Sequence, residues 1–133
     1  MADTVTSQTI QDGERVAVLK FTNESDGTGE SSVKKVDVSA LSANGKGQAC
    51  TSVSISRIYW ACRGMGVDIE FDASTNVLAI PLPADSTGDE YYDLFTGIPN
   101  NAGSGVTGDI DFTTVGHSNG DAYSIILVLN KNY

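Results

Sequence analysis

Catalysis needs side chains that can move protons, attack or hold a metal, and this 133-residue chain offers few of them. His117 is its only histidine, set in the turn Gly116-His117-Ser118-Asn119-Gly120 with Asp121 beside it. A Ser-His-Asp or Cys-His hydrolase would have to run through that one imidazole, and a solvated turn histidine is the plainer expectation. Cys50 and Cys62 could join it as soft ligands, but they lack the close spacing of a zinc site. Asp68, Glu70 and Asp72 alternate along one stretch, and Asp109 and Asp111 along another. Oxygen-rich faces can bind Ca²⁺ and paired carboxylates can cleave a glycoside. The same spacing is that of a wet strand face, and no EF-hand loop accompanies it. Tyr59, Trp60, Tyr91, Tyr92 and Phe95 could stack on sugars, with packing the plainer role. Gly64-Met65-Gly66 and Gly103-Ser104-Gly105 lack the strand–loop–helix setting and the lysine of a phosphate cradle. The expectation is a protein that is not an enzyme, with no catalytic residue, no cofactor and no metal.

The elements that must carry these residues read as strands. In residues 54–72 (SISRIYWACRGMGVDIEFD), Val67, Ile69 and Phe71 alternate with the three carboxylates, so one face is buried and the other wet. Val53, Ile55 and Ile58 with Tyr59 and Trp60 form a second β-rich run, and Arg63-Gly64-Met65-Gly66 supplies a tight reversal. This predicts a hairpin holding the only tryptophan, with the core gathered on it. Residues 3–11 (DTVTSQTIQ) are β-prone but weakly apolar, with Val5 and Ile10 out of phase, as in an edge strand or an arm reaching to a neighbour. Residues 14–23 put Ala17, Leu19 and Phe21 on one side and Val16, Val18 and Lys20 on the other, the pattern of a central strand. Residues 30–41 read as a strand, 42–48 as a loop around Asn44-Gly45, and 77–80 as a short strand stopped by Pro81 and Pro83. Residues 84–90 read as an acidic turn, 91–95 as a brief aromatic strand and 98–105 as a loop. Residues 108–115 and 121–130 then form a closing hairpin, with Tyr123, Ile125, Leu127 and Leu129 facing one way.

About eight strands separated by turns predict an all-β, antiparallel two-sheet β-sandwich with an extended N-terminal arm. A jelly-roll-like arrangement suits it, with barrel closure the lesser alternative. The chain is one domain, 1–133, with 1–12 the arm or edge strand. Its net charge of −9, with basic residues scattered, excludes nucleic acid and an anionic membrane surface as partners. Met1-Ala2-Asp3-Thr4 shows no signal-peptide pattern, and the longest apolar run, 125–129, is too short to span a bilayer. Synthesis in a cytoplasm is expected. If residues 51–62 are one strand, Cys50 and Cys62 lie about 40 Å apart, far beyond the roughly 7 Å a disulfide allows, and stay thiols.

The stretch 12–41 (DGERVAVLKFTNESDGTGESSVKKVDVSAL) resembles the opening of small virion proteins of tailed bacteriophages, especially those of marine and cyanobacterial hosts. Gly97-Ile98-Pro99-Asn100-Asn101-Ala102-Gly103, and the segments Gly108-Asp109-Ile110 and Phe112-Thr113-Thr114-Val115-Gly116-His117, look similar too. The resemblance covers most of the chain and carries no catalytic motif. It implies a structural protein on the capsid exterior of the virion, assembled in the host cytoplasm, with a head-decoration (cement) role. The implied partners are the major capsid protein and further copies of the chain, a trimer suiting a lattice threefold. A neck, tail or fibre position and a carbohydrate-binding sandwich are the alternatives. Candidate partner contacts are Val5, Thr6 and Ile10, which could add as a strand to an exposed edge, and Tyr91, Tyr92 and Phe95. An arm of this kind is expected to be mobile in the free protein.

Overall fold

The computed structural model describes residues 3–92 and 97–133. Its nine strands are β1 (Thr4–Asp12), β2 (Val16–Glu24), β3 (Val33–Val36), β4 (Ser52–Arg63), β5 (Gly66–Phe71), β6 (Val77–Leu82), β7 (Thr87–Tyr91), β8 (Ile110–Val115) and β9 (Ala122–Asn132). They form two antiparallel sheets, ordered β1-β2-β9-β4-β7 and β3-β8-β5-β6. The pairs β2/β9, β3/β8, β4/β7 and β5/β6 are nested about the β5–β6 turn and alternate between sheets. That winding is a jelly roll, and β1 adds a fifth strand at one edge. The all-β, two-sheet sandwich read from the sequence is the fold, with jelly-roll order rather than barrel closure.

Period-two patterning explains the core. Ala17, Leu19 and Phe21 of β2 and Tyr123, Ile125, Leu127 and Leu129 of β9 are all buried, facing Val67, Ile69, Phe71, Ile110 and Phe112 of the other sheet. Phe112 sits at the centre, edge-on to Phe21 at 5.4 Å and to Tyr123 at 5.8 Å. Trp60, by contrast, packs on the core from its rim, with its N–H donated to Ser86 Oγ at 3.0 Å. The core therefore does not gather on the tryptophan. Two phase slips in the sequence are β-bulges. Ile55 pairs with Leu129 and Arg57 with Val128, leaving Ser56 extra and moving the inward row of β4 from Val53 and Ile55 to Ile58 and Cys62. Thr9 pairs with Leu19 and Gln11 with Val18, leaving Ile10 extra.

Several local expectations are corrected. The 54–72 hairpin does not form: β4 and β5 lie in different sheets, and the chain changes layer at Gly64-Met65. Met65 is fully buried as the plug of that corner, while Gly64 adopts φ 82 and donates its N–H to Asp85 Oδ1. The closing hairpin fails likewise, because β8 belongs to the four-stranded sheet and β9 to the five-stranded one. The 30–41 strand stops at Val36, where Asp37 accepts from Ser39 N and starts a 3-10 turn, Val38–Ala40. Pro81 lies inside β6, at a sheet edge where its missing N–H breaks no ladder. The acidic stretch expected as a turn carries a strand, β7, which runs to Tyr91, while residues 93–95 of the expected aromatic strand lie outside the described residues. Cys50 and Cys62 are buried free thiols.

Candidate functional site

The structure distributes the sequence-predicted contact residues over opposite edges of the five-stranded sheet. Val5, Thr6 and Ile10 are exposed on β1, and Tyr91 is exposed at the end of β7. Tyr92 is half-buried, packs on the core and donates its N–H to Ser56 O at 2.8 Å. Phe95 lies outside the described residues. Between the two readings of residues 3–11, the edge strand is the one seen, and the free-arm reading is corrected. β1 pairs with β2 from Thr4↔Glu24 to Asp12↔Ala17, and a carboxylate clamps each end.

At the start, Asp3 accepts from Asn23 Nδ2 at 3.0 Å, Gly29 N at 3.1 Å and Asp26 N at 3.2 Å. Burial pushes its pKa up, but these bonds outweigh burial and hold it below the usual carboxylate range. At the far end, Asp12 bonds Lys131 Nζ and accepts from Ser42 N at 2.9 Å. The Lys131 side chain is wholly buried. Burial again raises the Asp12 pKa, and the Lys131 and Ser42 bonds more than reverse that. The sequence reading gave neither Asp3 nor Asp12 a role of its own. The available signal was a carboxylate at each end of an uncharged β-prone run.

From β2 to β7 the outer face of this sheet is organised in cross-strand rows. Val18, Val128, Arg57 and Tyr91 form one row; Lys20, Ile126, Tyr59 and Asp89 the next; Thr22, Ser124, Ala61 and Thr87 a third. The Arg57 guanidinium lies 4.5 Å from the Tyr59 ring centre and 4.9 Å from that of Tyr91. It also grips Asp89 bidentately, Nε to Oδ1 at 3.0 Å and Nη2 to Oδ2 at 2.8 Å. Three planar groups are thereby held in one place. They make no open sugar platform, since the cation fills the space between the tyrosines and Trp60 is turned toward Gly88.

The acidic residues gather on the opposite side of the sandwich. β5 and β8 pair with Glu70 opposite Asp111 and Asp68 opposite Thr113, so the two acidic stretches meet on one sheet. Asp111 is buried, with Oδ2 accepting from Asn76 Nδ2 at 2.9 Å. Its carboxyl is pushed up to about 6 by burial and by Asp72, whose own carboxyl is held low by Thr107 and Asp111. A proton on Asp111 donated to Asp72 is the arrangement that accounts for both shifts. It also gives a partner to Asp111 Oδ1, which otherwise has none among the described residues. Asp109 pairs with Lys34 at 2.9 Å and accepts from Val38 N. Glu30 is buried between Lys35 at 2.5 Å and the Tyr123 hydroxyl at 2.6 Å. Among the described residues, no group of three His, Cys, Asp or Glu side chains converges to hold a metal.

His117 is not merely a solvated turn residue. It is half-buried, with Nδ1 3.1 Å from Thr114 Oγ1 and its ring against Gly29. Thr114 is itself committed to the Glu30 backbone, so the pair pins the β8–β9 turn to the 26–30 loop. No family model matches the chain, and no curated protein matches it.

Proposed function

We propose that this chain is a non-enzymatic structural protein of a bacteriophage virion. In this reading it is a decoration (cement) protein that binds the major capsid protein on the outside of the assembled head through the free edge of β1. One observation carries the choice of surface. Sheet edges invite pairing with other chains, and proteins blunt those they do not use. Among the described strands, β3 spans only four residues, β6 contains Pro81, and β7 carries Asp89 and Glu90. β1 has nine residues, no charge from Thr4 to Gln11, and exposed side chains throughout that run. Its clamps at Asp3 and Asp12 hold the strand extended before any partner arrives, which lowers the ordering cost of strand addition. The jelly-roll winding is shared by capsid and lectin domains, and a fold alone assigns no function. The virion assignment rests on the sequence resemblance and on the lack of convergent catalytic groups among the described residues.

The test is co-sedimentation of the purified chain with undecorated heads of the parent phage. Wild type binds, and a Val5→Lys/Ile10→Lys double variant, folded by circular dichroism, loses binding at least tenfold. Equal binding of the two proteins would remove β1 as the contact. A particle reconstruction showing the chain at the neck, tail or fibre, with correspondingly low copy number, would remove the head.

A further inference from the structure

We infer that two copies of the chain associate face to face through the outer surface of the five-stranded sheet. The inference stands on that surface alone, and its failure would leave the proposed capsid contact untouched.

The first argument is charge. The chain carries −9, and the outside of the four-stranded sheet concentrates Asp68, Glu70, Asp72 and Asp111 against Lys34. Contact between two copies through that side sets carboxylates against carboxylates. The five-stranded sheet is the reverse: the ionisable side chains of its outer rows are Lys20, Arg57, Arg63, Glu24 and Asp89. This is the face on which an acidic molecule meets its own copy with least repulsion. It is also apolar at the centre, where Val18, Val128, Ile126 and Tyr59 are half-buried rather than solvated.

The second argument is self-complementarity, which an isologous contact demands. The row Lys20, Ile126, Tyr59, Asp89 crosses four adjacent strands, β2, β9, β4 and β7. With strands about 4.8 Å apart, its two charged ends are roughly 14 Å apart and its midpoint falls between β9 and β4. A two-fold axis laid along the strands at that midpoint places Lys20 over the second copy's Asp89, and Asp89 over its Lys20. The same operation sets Ile126 on Tyr59, Val18 on Tyr91, and Val128 on the stem of Arg57. Lys20 has no ion pair among the described residues, whereas Asp89 is already fixed by Arg57, so each incoming ammonium meets a carboxylate that needs no further ordering. The four strands that this operation superposes, by about six residues, give a face of roughly 19 by 20 Å, so two copies bury on the order of 800 Å², the size of a weak, transient contact. The expected association is accordingly reversible, with a dissociation constant in the micromolar range.

The test is sedimentation velocity of the full chain from about 1 to about 300 µM, a range spanning such a constant. Wild type is expected to rise from 14.0 kDa toward twice that mass. Lys20→Asp and Asp89→Lys, each studied alone, place like charges in both contacts and should weaken association at least tenfold. Mixed in equal amounts, they restore two opposite-charge contacts and should form a heterodimer. A Lys46→Glu control, in the 42–48 loop, should behave as wild type. If Asp89→Lys fails to fold, Ile126→Lys decides, since a charge at the centre of the face must abolish the dimer while the far-ultraviolet spectrum is kept. A wild-type chain monomeric throughout, a trimer, or single variants that associate as well as wild type would each overturn the inference. So would a mixture that stays monomeric while both variants are folded.

Discussion

Replacing Asp111 by asparagine isolates one electrostatic feature of the fold and predicts a stability change with a definite sign. Asp111 is 2% exposed and faces Asp72, Glu70 and Lys34. Its carboxyl titrates near 6 in the folded protein, against an ordinary 3.8. Between those values the folded state keeps a proton that the unfolded chain has released. The stabilisation from Asp111 is thus fully present below about pH 4 and is lost as pH rises through about 6. Two pH units correspond to about 3 kcal/mol at most, since the opposite shift of Asp72 in the same pair offsets part of it. An asparagine at 111 keeps the Asn76 contact through its carbonyl and donates to Asp72 through its amide, a permanent copy of the protonated acid. Urea unfolding of both proteins from about pH 3.5 to about pH 8 should therefore show near-equal stabilities at the acid end. At the upper end the variant should be the more stable, by up to about 3 kcal/mol. The repulsion of the remaining net charge is common to both proteins and cancels in the difference. A difference that stays constant with pH, or a variant that is the less stable near pH 7, would refute the shared proton.

Three further outcomes follow from the same geometry. Asp12→Ala leaves the buried Lys131 ammonium without its carboxylate and should lower stability by about 3–5 kcal/mol in urea titrations, whereas Lys131→Met should cost distinctly less. Asp3→Ala should cost about 1–2 kcal/mol and speed amide exchange along β1 before any other strand, because it strips an acceptor from two backbone N–H groups and from the buried Asn23 amide on the 23–29 segment. Both thiols are pushed up by burial, so Cys50 and Cys62 should resist an aromatic disulfide reagent in the native protein and react together on unfolding; rapid native reaction of either would contradict their placement.

Strand content and inward faces were legible because burial is written residue by residue. Alternation in 123–129 and 17–21 needs no knowledge of which strand lies alongside, and Ile10, out of phase with Val5, is the extra residue of a β-bulge; the bulge at Ser56 was not read from the sequence. The candidate contact residues were legible only in part. Val5 and Ile10 stood out as apolar residues in a polar stretch, but nothing local tells a free arm from a docked edge. That difference lies in Asp3 and Asp12, whose partners are up to 119 residues away.

The amino-acid order determined by itself that the protein is a sandwich of strands with an acidic balance and no disulfide between its cysteines, since these depend on side-chain type and period. Only the tertiary structure decided which strands are neighbours. Gly64-Met65 and the 116–120 turn can reverse a chain within a sheet or carry it across to the other one, and the inward residues are buried either way. Satisfying all the ladders at once sends both connections across. That choice brings Asp111 beside Asp72, sets Lys20 and Asp89 at opposite ends of one row, and leaves β1 on an open edge.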